Sequence, residues 1–355
     1  MIMNLKAYRL LLKKACLLLG SLFLSFLLLE IILKKISPQQ WIFPVSDWNS
    51  QYGVIAYPHK RIINAKPGHF RFIYTTNEHR LRGKWVSPET SGEKVLLLGD
   101  SNIFGFGVQD EETIDSRFNV LTGSAPHMIN LGNGGWSLPQ SVRRYLELGR
   151  QYGPSAVFLH MAGNDLEDRV YGICWVTHAK ADGSIAVRDI PVMPASGRLR
   201  KIFPPDGIAY KTIMTSQVAL HLKGILNLHI MPSLTHEISN EIVHPDQVVV
   251  HHLRENETRY AALLRAFAEQ LQVDEVEFFF VVDEPSFYGS EIVRQEAEAL
   301  AREHLLKLHF IHDWFVPGQD HPKSLQGHYF GAEACETLAI KFKELFLHNR
   351  LKIIQ

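Results

Sequence analysis

The chain has 355 residues, of which 46% are hydrophobic and 21% charged, a globular composition that excludes a disordered tail and a polytopic membrane protein. Its 37 basic and 37 acidic residues cancel, so no charge excess points to nucleic acid or to an anionic partner. The three cysteines, Cys16, Cys174 and Cys335, stand far apart and outside any CxxC pair, which excludes a disulfide framework and a zinc module of familiar spacing.

The first predicted element is the run from Ala15 to Leu33, ACLLLGSLFLSFLLLEIIL, which is apolar apart from two serines and Glu30. About 20 such residues cross the hydrocarbon core of a bilayer as a helix. Lys6, Arg9, Lys13 and Lys14 precede the run, and Lys34 and Lys35 follow it. The heavier positive flank predicts a cytoplasmic segment 1–14, a single transmembrane segment 15–35 and an exported body, periplasmic or extracytoplasmic. The run is long for a signal-peptide core and no small-residue cleavage site follows it, which favours an uncleaved signal anchor over a cleaved signal. Glu30 falls near the far interface. Residues 36–92 read as a juxtamembrane connector, because 36–74 is rich in aromatic, proline and basic residues and shows no period.

From residue 93 to 347 the sequence predicts one α/β domain. VLLLGD (95–100), HMIN (127–130), AVFLHM (156–161), EFFFVVD (277–283) and KLHFIHDW (307–314) are short apolar runs of the kind that form buried parallel strands. Between them, helical spacing predicts helices over about 137–153, 253–271, 290–304 and 332–347. Strand–helix alternation implies a parallel sheet covered by helices. Residues 170–250 break the rhythm with prolines, clustered histidines and a hairpin signal at Asp182-Gly183, and are expected to form an insertion or cap.

Ligands of parallel sheets bind beyond the carboxyl ends of the strands. Polar clusters follow three of the predicted strands: Gly99-Asp100-Ser101-Asn102, Gly132-Asn133-Gly134-Gly135 and Gly163-Asn164-Asp165. A fourth, Asp320 to His328, precedes the last helix. A serine on a tight strand-to-helix turn presents its hydroxyl, glycines let backbone N–H groups approach an oxyanion, and a late histidine can serve as general base. Asp100 and Asp165 are expected to hold their loops by hydrogen bonds. No HExxH or comparable ligand spacing joins the histidines, so no metal is expected, and Gly105-Phe106-Gly107 lacks the third glycine of a dinucleotide site.

These clusters carry a resemblance. VLLLGDSNIFGFGVQDEET resembles the first block of the SGNH (GDSL-like) hydrolases, INLGNGGWSLPQ the second and HMAGNDLED the third, in the family's order. TTNEHRLRG (75–83) is similar to the lead-in of membrane-anchored bacterial members. The resemblance covers about residues 75–170 and 275–347. It implies a three-layer α/β/α, flavodoxin-like fold and hydrolysis of esters through an acyl-serine, without a cofactor. Ser101 is then the nucleophile, and the oxyanion hole comprises the N–H groups of Ser101 and Gly135 with the side-chain amide of Asn164. The fourth block departs from the family's Asp-x-x-His or Asp-x-His. GQDHPKSLQGHYFGAEACETLA offers His328 at the usual distance before the last helix and His321 as the alternative base, with Asp320 the nearest acid. The implied substrate is an acylated small molecule, carbohydrate or lipid, by hydrolysis or by transfer to another alcohol. A catalytically silent binding or assembly protein on the same fold is the second reading.

Overall fold

The computed structural model describes residues 5–44, 46–166, 175–189, 208–229, 245–315, 323 and 330–354. The apolar N-terminal run lies in helix α1 (Leu5–Ile36), which starts earlier than the run because the residues before it are good helix formers. Its stretch Arg9–Ile36 contains an 18-residue window of mean hydropathy 2.5 that is unburied, and is long and apolar enough to cross a membrane. The connector holds short strands: β1 (Trp41–Phe43), β2 (Asp47–Asn49), β3 (Gly53–Ile55), β4 (Arg61–Lys66) and β5 (Phe70–Thr75). Runs of three to six residues are too short for a period of two to stand out against the turns between them.

Two units divide the chain. The smaller comprises Met1–Phe43, Asn64–Arg71 and Phe203–Glu241, and the larger Pro44–Ile63, Phe72–Ile202 and Ile242–Gln355. In the smaller unit the described part of the insertion forms helices α5 (Ile208–Thr215) and α6 (Gln217–His229). The larger unit carries the sheet and, from the first part of the insertion, the expected hairpin. Its strands β9 (Thr177–Ala179) and β10 (Ile185–Val187) pair antiparallel around Gly183, with Ile185 opposite Ala179.

The central sheet is built from β6 (Lys94–Leu98), β7 (His127–Asn130), β8 (Ala156–Met161), β11 (Glu277–Val282) and β12 (Lys307–Phe310). The three inner strands β6, β8 and β11 are almost continuously apolar because both faces of the sheet are covered, while the outer strands β7 (HMIN) and β12 (KLHF) carry polar residues. Val95, Leu97, Phe158, Phe279 and Val281 point to one side, where they meet α3 (Ile114–Thr122) and α9 (Ala332–Ile354) through Phe118, Leu338 and Phe342. The alternate residues, Leu96, Leu98, Val157, Leu159, Phe278 and Phe280, meet α4 (Leu138–Glu147), α7 (Pro245–Val273) and α8 (Glu291–Arg302) on the other. The result is the expected three-layer α/β/α arrangement.

Among the described residues the strand order is β12-β11-β8-β6-β7 and every pair is parallel. The chain steps from β6 outward to β7, returns past β6 to β8, and then builds toward β12. That is the flavodoxin-like order, and the direction reverses between β6 and β8, where a crevice opens beyond the strand ends.

Phe158 lies between Phe279, with ring centroids 4.4 Å apart, and Phe342 at 4.6 Å. Truncating it with Phe158→Ala should cost about 3–5 kcal/mol, whereas Val120→Ala, on a surface position, should stay within about 0.5 kcal/mol. Urea unfolding of the full-length protein in detergent, followed by circular dichroism, measures both.

Candidate active site

Strand β6 ends at Leu98, and the chain must turn at once to avoid the layer above it. Gly99 makes this turn at a φ of +153°, and a Cβ there would sit 2.5 Å from Ile103 Cγ1 and 3.3 Å from His160 Cβ. Only glycine fits. Asp100, fully buried, caps the short helix α2 (Ser101–Phe104), its Oδ1 accepting the Asn102 N–H at 2.9 Å. The capping duty therefore falls on Asp100, and Ser101 sits in the first turn, half-buried, with its hydroxyl 3.3 Å from Asp100 Oδ2. The helix stops at Gly105, whose φ of +83° and N–H bonds to the Ser101 and Asn102 carbonyls close the turn.

Arg82, from the TTNEHRLRG segment, holds this loop from behind. Its Nη1 donates to the Phe104 carbonyl at 3.0 Å and to that of Gly105, its Nη2 to Val108 O at 2.7 Å, and its Nε to Asp110 Oδ1 at 3.0 Å. The guanidinium also lies over the Tyr74 ring, 4.7 Å from its centroid. One cation thus satisfies carbonyls that a four-residue helix leaves open.

The loop after β7 is tied to the same turn, since Asn133 N donates to Gly99 O at 3.2 Å. Asn130 braces it further, giving its amide to Ile103 O at 2.6 Å and to Asp115 Oδ1 at 2.9 Å while accepting the Gly132 N–H at 3.0 Å. Gly134 has no room for a side chain, because Phe106 Cε2 lies 2.4 Å from the position of a Cβ. Gly135 follows at a φ of +76°, and Trp136 fixes the far side by donating to Val54 O at 2.7 Å and stacking on Tyr52. After β8, residues Gly163–Leu166 form a 3-10 turn held by Asp165, whose Oδ2 accepts the Ala162 N–H at 2.9 Å. Asp100 and Asp165 hold their loops as expected.

Ser101, Gly135 and Asn164 therefore follow the ends of three neighbouring strands, with β6, which leads to Ser101, in the middle. His328, its alternative His321 and Asp320 lie outside the described residues. Among the described residues, no group of three or more His, Cys, Asp or Glu side chains is arranged to hold a metal ion.

The sequence reading missed two residues beneath these loops. His160, fully buried on β8, lies with its Nε2 2.7 Å from Asp283 Oδ1 and its Nδ1 3.8 Å from Asp100 Oδ1. Asp283 follows β11 and also accepts the Tyr288 hydroxyl, on Oδ2. Burial alone would lower the pKa of His160, but the charges of Asp283 and Asp100 outweigh it and raise it to about 10. Burial, and then the Asp100 charge, push the Asp165 carboxyl well above the usual carboxylate range. Two buried oxygens in the same layer, Asp165 Oδ1 and Tyr260 Oη, have no hydrogen-bond partner among the described residues. The signals in the sequence were a lone histidine in the apolar run AVFLHM and an aspartate closing EFFFVVD as Asp100 closes VLLLGD. A satisfied core histidine reads the same way in one dimension.

No family model matches the chain, and no curated protein matches it at a significant level. Solved structures similar to it include TesA, at 14% identity and a TM-score of 0.36 over 70% of this chain and 94% of that one. The psychrotrophic esterase EstA from Pseudoalteromonas sp. is similar at 13% identity and a TM-score of 0.36 over 71% and 95% of the two chains. A GDSL-like lipase from Bacteroides thetaiotaomicron is similar at 12% identity and a TM-score of 0.37, over 72% and 89%. At these levels the likeness is one of chain path, and the fold class stands on the strand order and register.

Folding raises the pKa of His160 from 6.5 to about 10, so its stabilising contribution is complete below pH 6.5 and is lost as the pH climbs toward about 10. The stability difference between wild type and His160→Gln should therefore shrink steadily across that window in urea unfolding series. A difference independent of pH would mean that the imidazole gains no proton on folding.

Proposed function

We propose that the chain is a membrane-tethered serine ester hydrolase working through an acyl-serine. The observation that carries this reading is the placement of Ser101. It is a half-buried serine, relieved of capping by Asp100, on a braced turn beside the point where strand order reverses, with the Gly135 and Asn164 loops on either side. In the proposed reaction the Ser101 hydroxyl oxygen bonds to the ester carbonyl carbon while the base takes its proton. The N–H groups of Ser101 and Gly135 and the Asn164 amide hold the oxyanion. Collapse breaks the bond to the leaving alcohol, which takes the proton from the base. Water then repeats the steps in reverse and frees the acid; another alcohol in its place makes the same site an acyltransferase. His328 is the proposed base with Asp320 behind it, and His321 is the alternative.

The apolar span of α1 and its basic N-terminal flank support a single-pass protein with the hydrolase exported. An esterase tethered there suits acyl groups on envelope carbohydrate or lipid. The unusual spacing of Asp320, His321 and His328 favours the second reading, a silent binding protein on the same fold.

Labelling of the full-length protein in detergent by a fluorophosphonate probe, with p-nitrophenyl acetate turnover alongside, decides between them. Wild type should label and Ser101→Ala should not. Asn164→Ala should lower kcat by about 100- to 1,000-fold, the usual loss for one oxyanion donor. Of His328→Ala and His321→Ala, the one that abolishes labelling identifies the base. A folded wild-type protein that does not label would overturn the hydrolase reading.

A further inference from the structure

Helices α5 and α6 carry a surface that the proposed ester chemistry does not use. Their sequence, IAYKTIMTSQVALHLKGILNLH (208–229), contains two lysines and two histidines and no acidic residue. Ile208 is 86% exposed, Ile213 50%, Leu222 55% and Ile225 54%, and Lys211 and Lys223 are exposed among them. Apolar side chains laid bare beside basic ones, on helices too short to span, are the pattern of a segment lying in the plane of a membrane surface.

Contacts with α1 set its depth. Glu30 is the one acidic residue of the apolar run, and it receives the Ser216 hydroxyl at 2.9 Å, the Gln217 N–H at 2.6 Å and the Val218 N–H at 3.1 Å. These are donors at the start of α6, which have no acceptor within their own helix. An ionisable group on a spanning helix needs such partners. A second clasp joins Gln217 to Gln39, whose N–H donates to Gln217 Oε1 at 2.5 Å and whose carbonyl accepts from Gln217 Nε2 at 3.3 Å. Glu30 lies four residues before Lys34, roughly 6 Å deeper along a helix that rises about 1.5 Å per residue. Lys34 and Lys35 mark the level at which ammonium groups reach the headgroups. The start of α6 is thereby held no higher than the headgroup layer.

We propose that α5 and α6 lie in the outer interface of the bilayer crossed by α1, with Ile208, Ile213, Leu222 and Ile225 among lipid acyl chains and Lys211 and Lys223 reaching the headgroups. This rests on the reading of α1 as a membrane anchor.

Nitroxide labels read the depth directly. Full-length protein with Cys16→Ser, Cys174→Ser and Cys335→Ala as background carries one label at a time through Leu222→Cys, Ile225→Cys, Leu24→Cys or Val120→Cys. It is reconstituted in vesicles of phosphatidylethanolamine and phosphatidylglycerol, and each labelled protein is checked for wild-type circular dichroism. Positions 222 and 225 should match position 24, with collisions with oxygen favoured several-fold over a nickel chelate relative to position 120. Water-like accessibility at 222 and 225 with lipid-like accessibility at 24 would overturn the proposal and leave the anchor standing. Water-like accessibility at 24 as well would overturn the anchor itself. Low accessibility to both reagents at 222 and 225, with spin–spin broadening, would mean that a second copy covers the face, and would overturn the lipid assignment.

Discussion

A buried imidazole between two strand-end carboxylates is the constraint on which the site's geometry depends. His160 has no route to water, and a charge placed there without partners would cost several kcal/mol. Asp283 on one side and Asp100 on the other supply those partners, so three neighbouring strands, β11, β8 and β6, meet through one ring. Asp100 is also the residue that caps α2 and receives the Ser101 hydroxyl. The orientation of the candidate nucleophile is therefore coupled to a charge on the next strand. Asp165 follows from the same balance: cut off from solvent and near Asp100, its carboxyl is driven toward the neutral form.

Arg82 completes the clamp from the opposite side. Its guanidinium covers the carbonyls that end α2, while His160 and Asp283 fix the residue that begins it. A serine held at both ends of a four-residue helix has little freedom left to lose, which is the positioning that the proposed attack on an ester needs. The cost is a cluster of buried polar atoms, of which His160 Nδ1, Asp165 Oδ1 and Tyr260 Oη have no hydrogen-bond partner among the described residues. Such a cluster persists only where the rest of the unit is packed firmly, and the sheet beneath it is sealed on both faces by α3 and α9 and by α4, α7 and α8.

The sheet was legible because parallel strands covered on both faces must be continuous apolar runs, and VLLLGD, AVFLHM and EFFFVVD are written that way. The serine loop was legible through its glycines, since Gly99 and Gly134 stand where a Cβ would strike Ile103 and Phe106. Strands β1 to β5 were not, because three to six residues carry too little period to separate from turns. His160 and Asp283 were hidden for another reason. Each looks ordinary in its own run, and only the lateral order of strands, which no local pattern encodes, makes them neighbours. The role of Arg82 was hidden likewise, as its carbonyl partners begin 22 residues away.

The capping of α6 by Glu30 bears on whether the N-terminal helix stays attached. A carboxylate toward the end of an apolar run is unfavourable in lipid unless it finds partners, and Glu30 finds them at the start of α6. Cleavage beyond Glu30 would strip the Ser216 hydroxyl and the Gln217 and Val218 N–H groups of their acceptor, and loss of a helix cap alone costs about 1 kcal/mol. Residues nearly two hundred positions downstream thus depend on the N-terminal helix for their hydrogen bonds. That dependence is a reason, independent of any cleavage motif, to favour an anchor that remains part of the mature protein.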